Sequence, residues 1–209
     1  MSHPSASRRA AILIGLCMLA VSLSAEGALR FGVARPLAFN VSDYSDPQGK
    51  TWIRYSCAFE CLYRARVDEV VAKLWDFADS PKIFSRIEMV RVRSDTGTEA
   101  VTEQRTAVRL LGLAFVSNLV FRNTIERSGP GSAKVNFESI ETDGSSLSSK
   151  GGWTLEDRSD QGGPATYAVY RLESFIAPRF PGQAAIMRAF GAGDEEKLMG
   201  ELARAVSRS

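Results

Sequence analysis

From Ile53 to Val67 the chain alternates apolar and polar positions almost without fault. Ile53, Tyr55, Cys57, Phe59, Cys61, Tyr63, Ala65 and Val67 share one parity, and Arg54, Ser56, Glu60, Arg64 and Arg66 hold the other, broken only by Ala58 and Leu62. A period of two sends successive side chains to opposite faces of a strand. The spacing therefore predicts one long strand with an apolar, aromatic, thiol-bearing face.

The flanking patterns are of other kinds. Residues 26–50, with Pro36, Asp43, Ser45, Asp46, Pro47 and Gly49, show no periodicity and read as an irregular lead-in. After the long strand, Asp68 reads as a helix N-cap, with Glu69 in the first turn and Val70, Val71, Leu74, Trp75, Phe77 and Ala78 at helical spacing. Asp79-Ser80-Pro81 stops that helix, and Pro81 opens a short second one through Phe84.

From Ile87 the period returns to two. Arg91 and Arg93 share a face before the turn Asp95-Thr96-Gly97, and Thr102, Gln104, Thr106, Val108 and Leu110 form a face of the next strand. Phe115, Leu119, Phe121 and Ile125 oppose Arg122, Thr124 and Glu126. Strands through Val135 and Phe137, through Trp153 and Leu155, and through Tyr170 and Leu172 follow, divided by Gly129-Pro130-Gly131, Asp143-Gly144 and Asp157–Gly163. Beyond Pro181-Gly182 a helix with Ile186, Met187, Phe190, Leu198, Leu202 and Val206 runs to about Ser207. Gly191-Ala192-Gly193 reads as a soft point in one long helix, or as a break before a second helix capped by Asp194.

This order predicts an α+β fold: a curved seven-stranded antiparallel sheet wrapped around the long C-terminal helix, with two short helices after the first strand. Residues 51–209 form one domain in this reading.

The N-terminus changes the electrostatics. Arg8 and Arg9 precede an apolar run from Ala10 to Ala25, and small residues crowd its end. That is the layout of a signal peptide, assigned here to residues 1–25, with an uncleaved anchor as the alternative. Cleavage fits after Ser24 or after Gly27. Without residues 1–25, 24 Lys+Arg face 24 Asp+Glu, because the leader takes away only Arg8 and Arg9. No basic excess remains to displace counterions, which argues against nucleic acid as a partner. The leader also holds the single histidine, His3. A mature chain without histidine excludes imidazole bases, His-dependent triads and His-containing metal sites.

Export brings an oxidising compartment and the question of Cys57 and Cys61. In a strand, four residues separate their α-carbons by roughly 13 Å, whereas a disulfide tolerates about 7 Å at most. Two buried, reduced thiols are expected.

Several segments resemble the START-like superfamily (SRPBCC, or helix-grip), in particular its polyketide cyclase/dehydrase and coenzyme Q-binding branch. They are Ala65-Arg66-Val67-Asp68-Glu69-Val70-Val71-Ala72-Lys73-Leu74-Trp75-Asp76-Phe77-Ala78-Asp79-Ser80-Pro81, Gly152-Trp153-Thr154-Leu155, Ala165-Thr166-Tyr167-Ala168-Val169-Tyr170 and Ile176-Ala177-Pro178-Arg179-Phe180-Pro181. The resemblance spans residues 51–206, and it implies a hydrophobic cavity between sheet and C-terminal helix. Fold alone does not choose between binding and catalysis.

Strand parity supplies the candidate wall of that cavity: Tyr55, Cys57, Phe59, Cys61, Tyr63, Gln104, Phe115, Leu119, Phe121, Phe137, Trp153, Leu155, Tyr170 and Leu172, faced by Met187 and Phe190 from the helix. Any one of these is ordinary core material; the resemblance turns the set toward a chamber. An apolar lining with a few polar tips suits a small molecule. Catalytic candidates are thin, since a reactive cysteine needs a histidine, a cation or a helix N-terminus beside it, and no metal or cofactor motif is present. The expectation is an exported, periplasmic binding or carrier protein for a lipid, isoprenoid/quinone or aromatic polyketide, with transient membrane contact left open. The alternative is a cyclase or dehydratase using tyrosine acid–base chemistry in the same cavity.

Overall fold

The alternating segment becomes β2 (Thr51–Tyr63), and Ile53, Tyr55, Cys57, Phe59, Cys61 and Tyr63 all point inward and are buried. In the computed structural model, which describes residues 29–160 and 162–208, this strand lies inside an eight-stranded antiparallel sheet. The proposed leader, residues 1–25, lies outside the described residues.

β2 stops at Tyr63, short of the Val67 to which the alternation runs. Ala65 stays buried beyond the strand, and Val67 already belongs to α1 (Val67–Trp75). Arg66, not Asp68, occupies the N-cap position, and the Glu69 carboxylate accepts the Arg66 backbone N–H at 2.7 Å. Asp68 instead stands in the first turn, where a negative charge suits the positive end of the helix dipole. The short helix α2 (Ser80–Ile83) carries Pro81 in its first turn.

The other strands are β1 (Arg35–Ser45), β3 (Ile87–Asp95), β4 (Glu99–Leu110), β5 (Leu113–Gly129), β6 (Ser132–Thr142), β7 (Ser146–Asp157) and β8 (Thr166–Ile176). Their order across the sheet is β1-β2-β8-β7-β6-β5-β4-β3, so α1 and α2 carry the chain from β2 to the far edge. The sheet has eight strands rather than seven. The additional strand is β1, which falls in the segment read as an irregular lead-in. It is an edge strand paired only with β2, and Val41 alone of its eleven residues is buried. Its inward side packs through Phe39, against Tyr55, and Val41, and the rest of the strand is largely exposed, so pairing to β2 defines it more than side-chain pattern does.

The last helix, α3 (Gln183–Val206), runs unbroken through Gly191-Ala192-Gly193 across the concave face. Its two glycines differ. A Cβ on Gly191 would lie 2.9 Å from Tyr55 Cε2 and 3.0 Å from Phe39 Cζ, so the missing side chain lets α3 approach β1 and β2. Gly193 has no such neighbour within 4 Å. In β7, a Cβ on Gly151 would fall 2.2 Å from the Arg171 carbonyl oxygen and 2.7 Å from Phe137 Cζ. Glycine there marks a close approach between the strands.

The outer face carries cross-strand ion pairs: Arg54 with Glu173, Arg105 and Arg109 with Glu88, Arg122 with Glu138. Exposed pairs of this kind contribute about 0–1 kcal/mol each, so stability rests on the inner face. There, one end is filled. Phe59, Cys61, Tyr63, Leu155 and Ala168 of the sheet meet Val67, Val70 and Val71 of α1 and Leu198, Met199, Leu202 and Val206 of α3 in one cluster. Under the first half of α3 the same face encloses a space.

Candidate functional site

That space is a cavity of about 260 Å³ between the concave face of the sheet and α3. Of the residues assigned to it by parity, Tyr55, Gln104, Phe115, Leu119, Phe121, Phe137, Trp153, Tyr170, Leu172 and Met187 lie on its wall. Aromatic rings make up much of that wall. Phe121 meets Phe137 edge-on at 5.7 Å between centroids, and Tyr170 packs on Trp153 at 4.7 Å. Such contacts hold the rings in place without filling the centre.

Six assigned residues stand elsewhere. Phe59, Cys61, Tyr63 and Leu155 belong to the filled end, where α1 and the second half of α3 cover them. Cys57 points inward and is buried but is not on the cavity wall; its position instead borders, with Phe137 and Leu172, a separate depression lined by Arg122, Lys150, Arg171, Glu138 and Glu173. Phe190 is 45% exposed, because the buried face of α3 follows Met187, Gly191, Leu198 and Leu202 and leaves it outside. The Tyr63 hydroxyl is therefore sealed in the core rather than offered at a rim.

Both described cysteines are free and buried. Burial pushes the Cys61 thiol up to about 11 and raises the Cys57 thiol further, with the charge of Glu195 adding to it. Neither is an activated nucleophile at neutral pH.

The most polar part of the wall was not anticipated. Arg86, just ahead of β3, donates from Nη1 to both carboxylate oxygens of Glu195 at 3.0 Å and to Asp194 Oδ2 at 3.4 Å. Its Nη2 donates to the Tyr170 hydroxyl at 3.1 Å. The Tyr55 hydroxyl donates to Glu195 Oε1 at 3.1 Å, beside the Gly191 carbonyl at 3.2 Å. Burial alone would lower the Arg86 guanidinium, but Glu195, Tyr170 and Asp194 outweigh it and hold it well above its ordinary value. Burial, and then the charge of Glu195, pushes the Tyr55 and Tyr170 phenols far above theirs. Across the cavity, the Gln104 and Asn123 amides both donate to Thr102 Oγ1 at 3.0 Å.

One signal for this cluster existed in the sequence. Glu195 falls on the apolar face of α3, in step with Met187, Gly191, Leu198 and Leu202, and a carboxylate there requires a buried partner. Nothing local identified that partner as Arg86, which is 109 residues away.

Comparison with known proteins gives a fold rather than a close relative. A scan against protein-family models finds no match, and neither does a search of curated proteins. Solved structures do match. A STAR-related lipid transfer protein fragment from Xanthomonas axonopodis superposes with a TM-score of 0.59 at 16% identity, covering 80% of this chain and 98% of that one. Human StAR-related lipid transfer protein 5 gives 0.57 at 15% identity, covering 95% of each chain. The ZhuI aromatase/cyclase of a Streptomyces species gives 0.52 at 16% identity, covering 73% of this chain and 96% of that one. With its antiparallel sheet wrapped against a C-terminal helix around a cavity, the chain has the START-like helix-grip fold.

Proposed function

We propose that this protein is an exported, periplasmic binding or carrier protein that holds a hydrophobic small molecule (a lipid, an isoprenoid or quinone, or an aromatic polyketide) between the sheet and α3. The observation that carries this reading is the cavity of about 260 Å³, walled mainly by aromatic and aliphatic side chains beside a filled core. Its volume lies just below the roughly 300–1,000 Å³ common for small-molecule sites, which suits a slender ligand. Removing apolar surface from water contributes about 25 cal/mol per Å², and the pre-formed wall avoids an ordering cost on binding. Two of the structural neighbours are named as lipid transfer proteins and a third as an aromatase/cyclase, in keeping with a ligand in this position.

The test is native mass spectrometry and solvent extraction of the protein purified from expressing cells. An apolar adduct is expected, and it is expected to be lost in Leu119→Trp, which fills the cavity. A protein that carries no adduct and takes up none of a panel of lipids, quinones and polyketides would refute the reading.

The cyclase or dehydratase alternative has one observation in its favour: Tyr55 and Tyr170 are hydrogen-bonded to Glu195 and Arg86 inside the cavity. Their raised pKa values make both poor proton donors and acceptors near neutral pH, which favours binding over catalysis. Turnover abolished in Tyr55→Phe or Tyr170→Phe, with binding retained, would reverse that preference. Export rests on Arg8-Arg9 and the apolar run to Ala25. Mass spectrometry of the mature N-terminus tests it, and an intact leader would indicate an anchored protein instead.

A further inference from the structure

We propose that the cavity selects a ligand whose buried end is electrically neutral and rejects one that would bring a negative charge inside; this rests on the reading of the cavity as a ligand site. Among the described residues on its wall, the charged side chains are Arg86, Asp194, Glu195 and Arg179. Arg179 is exposed, with Nη2 donating to the Val116 carbonyl oxygen, so its charge stands in solvent rather than inside the cavity. The interior therefore holds one cation, Arg86, whose side chain is 16% exposed, against two carboxylates at 14% for Asp194 and 3% for Glu195.

The geometry leaves that cation committed. Arg86 Nη1 is shared between both oxygens of Glu195 and Asp194, and Nη2 engages Tyr170. A carboxylate or phosphate entering the cavity would lose its hydration. To recover the loss it would have to displace Glu195 from Arg86, which would leave a buried carboxylate unpaired, or sit beside two like charges. A hydroxyl or carbonyl brings no such conflict. It meets polar side chains on two walls, Tyr170 on one and the Gln104–Thr102–Asn123 group on the other. The same apolar chain should thus bind well when it ends in an alcohol and poorly when it ends in a carboxylate.

The experiment is displacement of Nile red from the mature protein at pH 8 by dodecanol and, separately, by dodecanoate, with Asp194→Asn measured in parallel. Dodecanol is expected to displace the probe at a concentration roughly tenfold lower than dodecanoate, equivalent to about 1.4 kcal/mol. The Asp194→Asn variant, shown to be folded by its melting transition, is expected to narrow that gap. Dodecanoate equal to or better than dodecanol, or a gap untouched by Asp194→Asn, would overturn the proposal. If Nile red does not bind and neither compound raises the melting temperature, the cavity reading itself fails and the selectivity falls with it.

Discussion

Leu198, Met199, Leu202 and Val206 of α3 close onto Phe59, Cys61 and Tyr63 of β2 and onto Val67, Val70 and Val71 of α1. Met187 and Glu195 of the same helix instead border, with Phe121 and Phe137 of the sheet, the cavity, and α3 touches the sheet there through Gly191 and Tyr55. One strand and one helix serve both ends, so the difference comes from what else is present. At the filled end, Val67, Val70 and Val71 of α1 join the packed cluster, while Leu74, at the end of the same helix, borders the cavity. At the hollow end, Gly191 brings the α3 backbone close to Tyr55 and Phe39 without a side chain to occupy the space. The polar groups follow the same division. The Arg86–Glu195 pair sits where the apolar packing stops.

The largest expected effect is at the filled end. Phe59 is fully buried, and Phe59→Ala should cost about 3–5 kcal/mol in chemical denaturation; a loss below about 1 kcal/mol would show that this end is not closely packed. Next, Arg86→Leu strips two carboxylates of their cation and should cost about 3 kcal/mol. Adding Glu195→Gln should restore part of that, whereas a double variant no better than the single would mean the pair does not act as a unit.

The hollow end should respond differently to size. Leu119 borders an existing space and has fewer packed neighbours to lose, so Leu119→Ala should fall at the low end for such a change, about 2 kcal/mol, below the cost at Phe59. Leu119→Trp should leave the melting temperature close to the parent's while abolishing ligand uptake; equal losses at Leu119 and Phe59 would erase the contrast. At the β4–β5 hairpin beside this end, Leu111 is 65% exposed and adopts φ 51°, next to Gly112 at φ 78°. Such a turn favours Asn and Gly, and Leu111→Asn should stabilise by about 0.5–1 kcal/mol. An unchanged melting temperature would argue against strain at the tip.

The smallest effect concerns pH. Burial alone would raise the Asp143 carboxyl, but hydrogen bonds from Ser145 and Asn118 bring it down to about 2. A depressed carboxylate stabilises the fold above its unfolded pKa, and that contribution is lost as pH falls through the folded value. Asp143 should therefore support the β5–β6–β7 corner above about pH 4 and lose that role toward pH 2. Its exposure limits the amount to a few tenths of a kcal/mol. Asp143→Ala should flatten the acid limb of the stability curve slightly.

The sequence expressed the inner face of the sheet through parity, and β2 is legible almost residue by residue. It did not express whether an inward side chain meets another side chain or a void. Phe59 and Phe121 share the same local signature and end in different places: Phe59 belongs to the packed cluster with Leu198, Met199 and Leu202 of α3, and Phe121 borders the cavity. β1 was hidden since, as an edge strand, it buries Val41 alone and packs only a short apolar stretch around Phe39. The Arg86 cluster was hidden because its members come from the α2–β3 connection, β2, β8 and α3, and no local spacing links them.

The contrast between the two ends can be read from two methionine methyls. Met187 lies on the cavity wall and Met199 is fully buried in the filled core. In a methionine-methyl NMR titration with dodecanol, the Met187 resonance should move with saturation while Met199 stays in place. Resonances that both stay fixed, or a shift larger at Met199 than at Met187, would contradict a ligand site under the first half of α3.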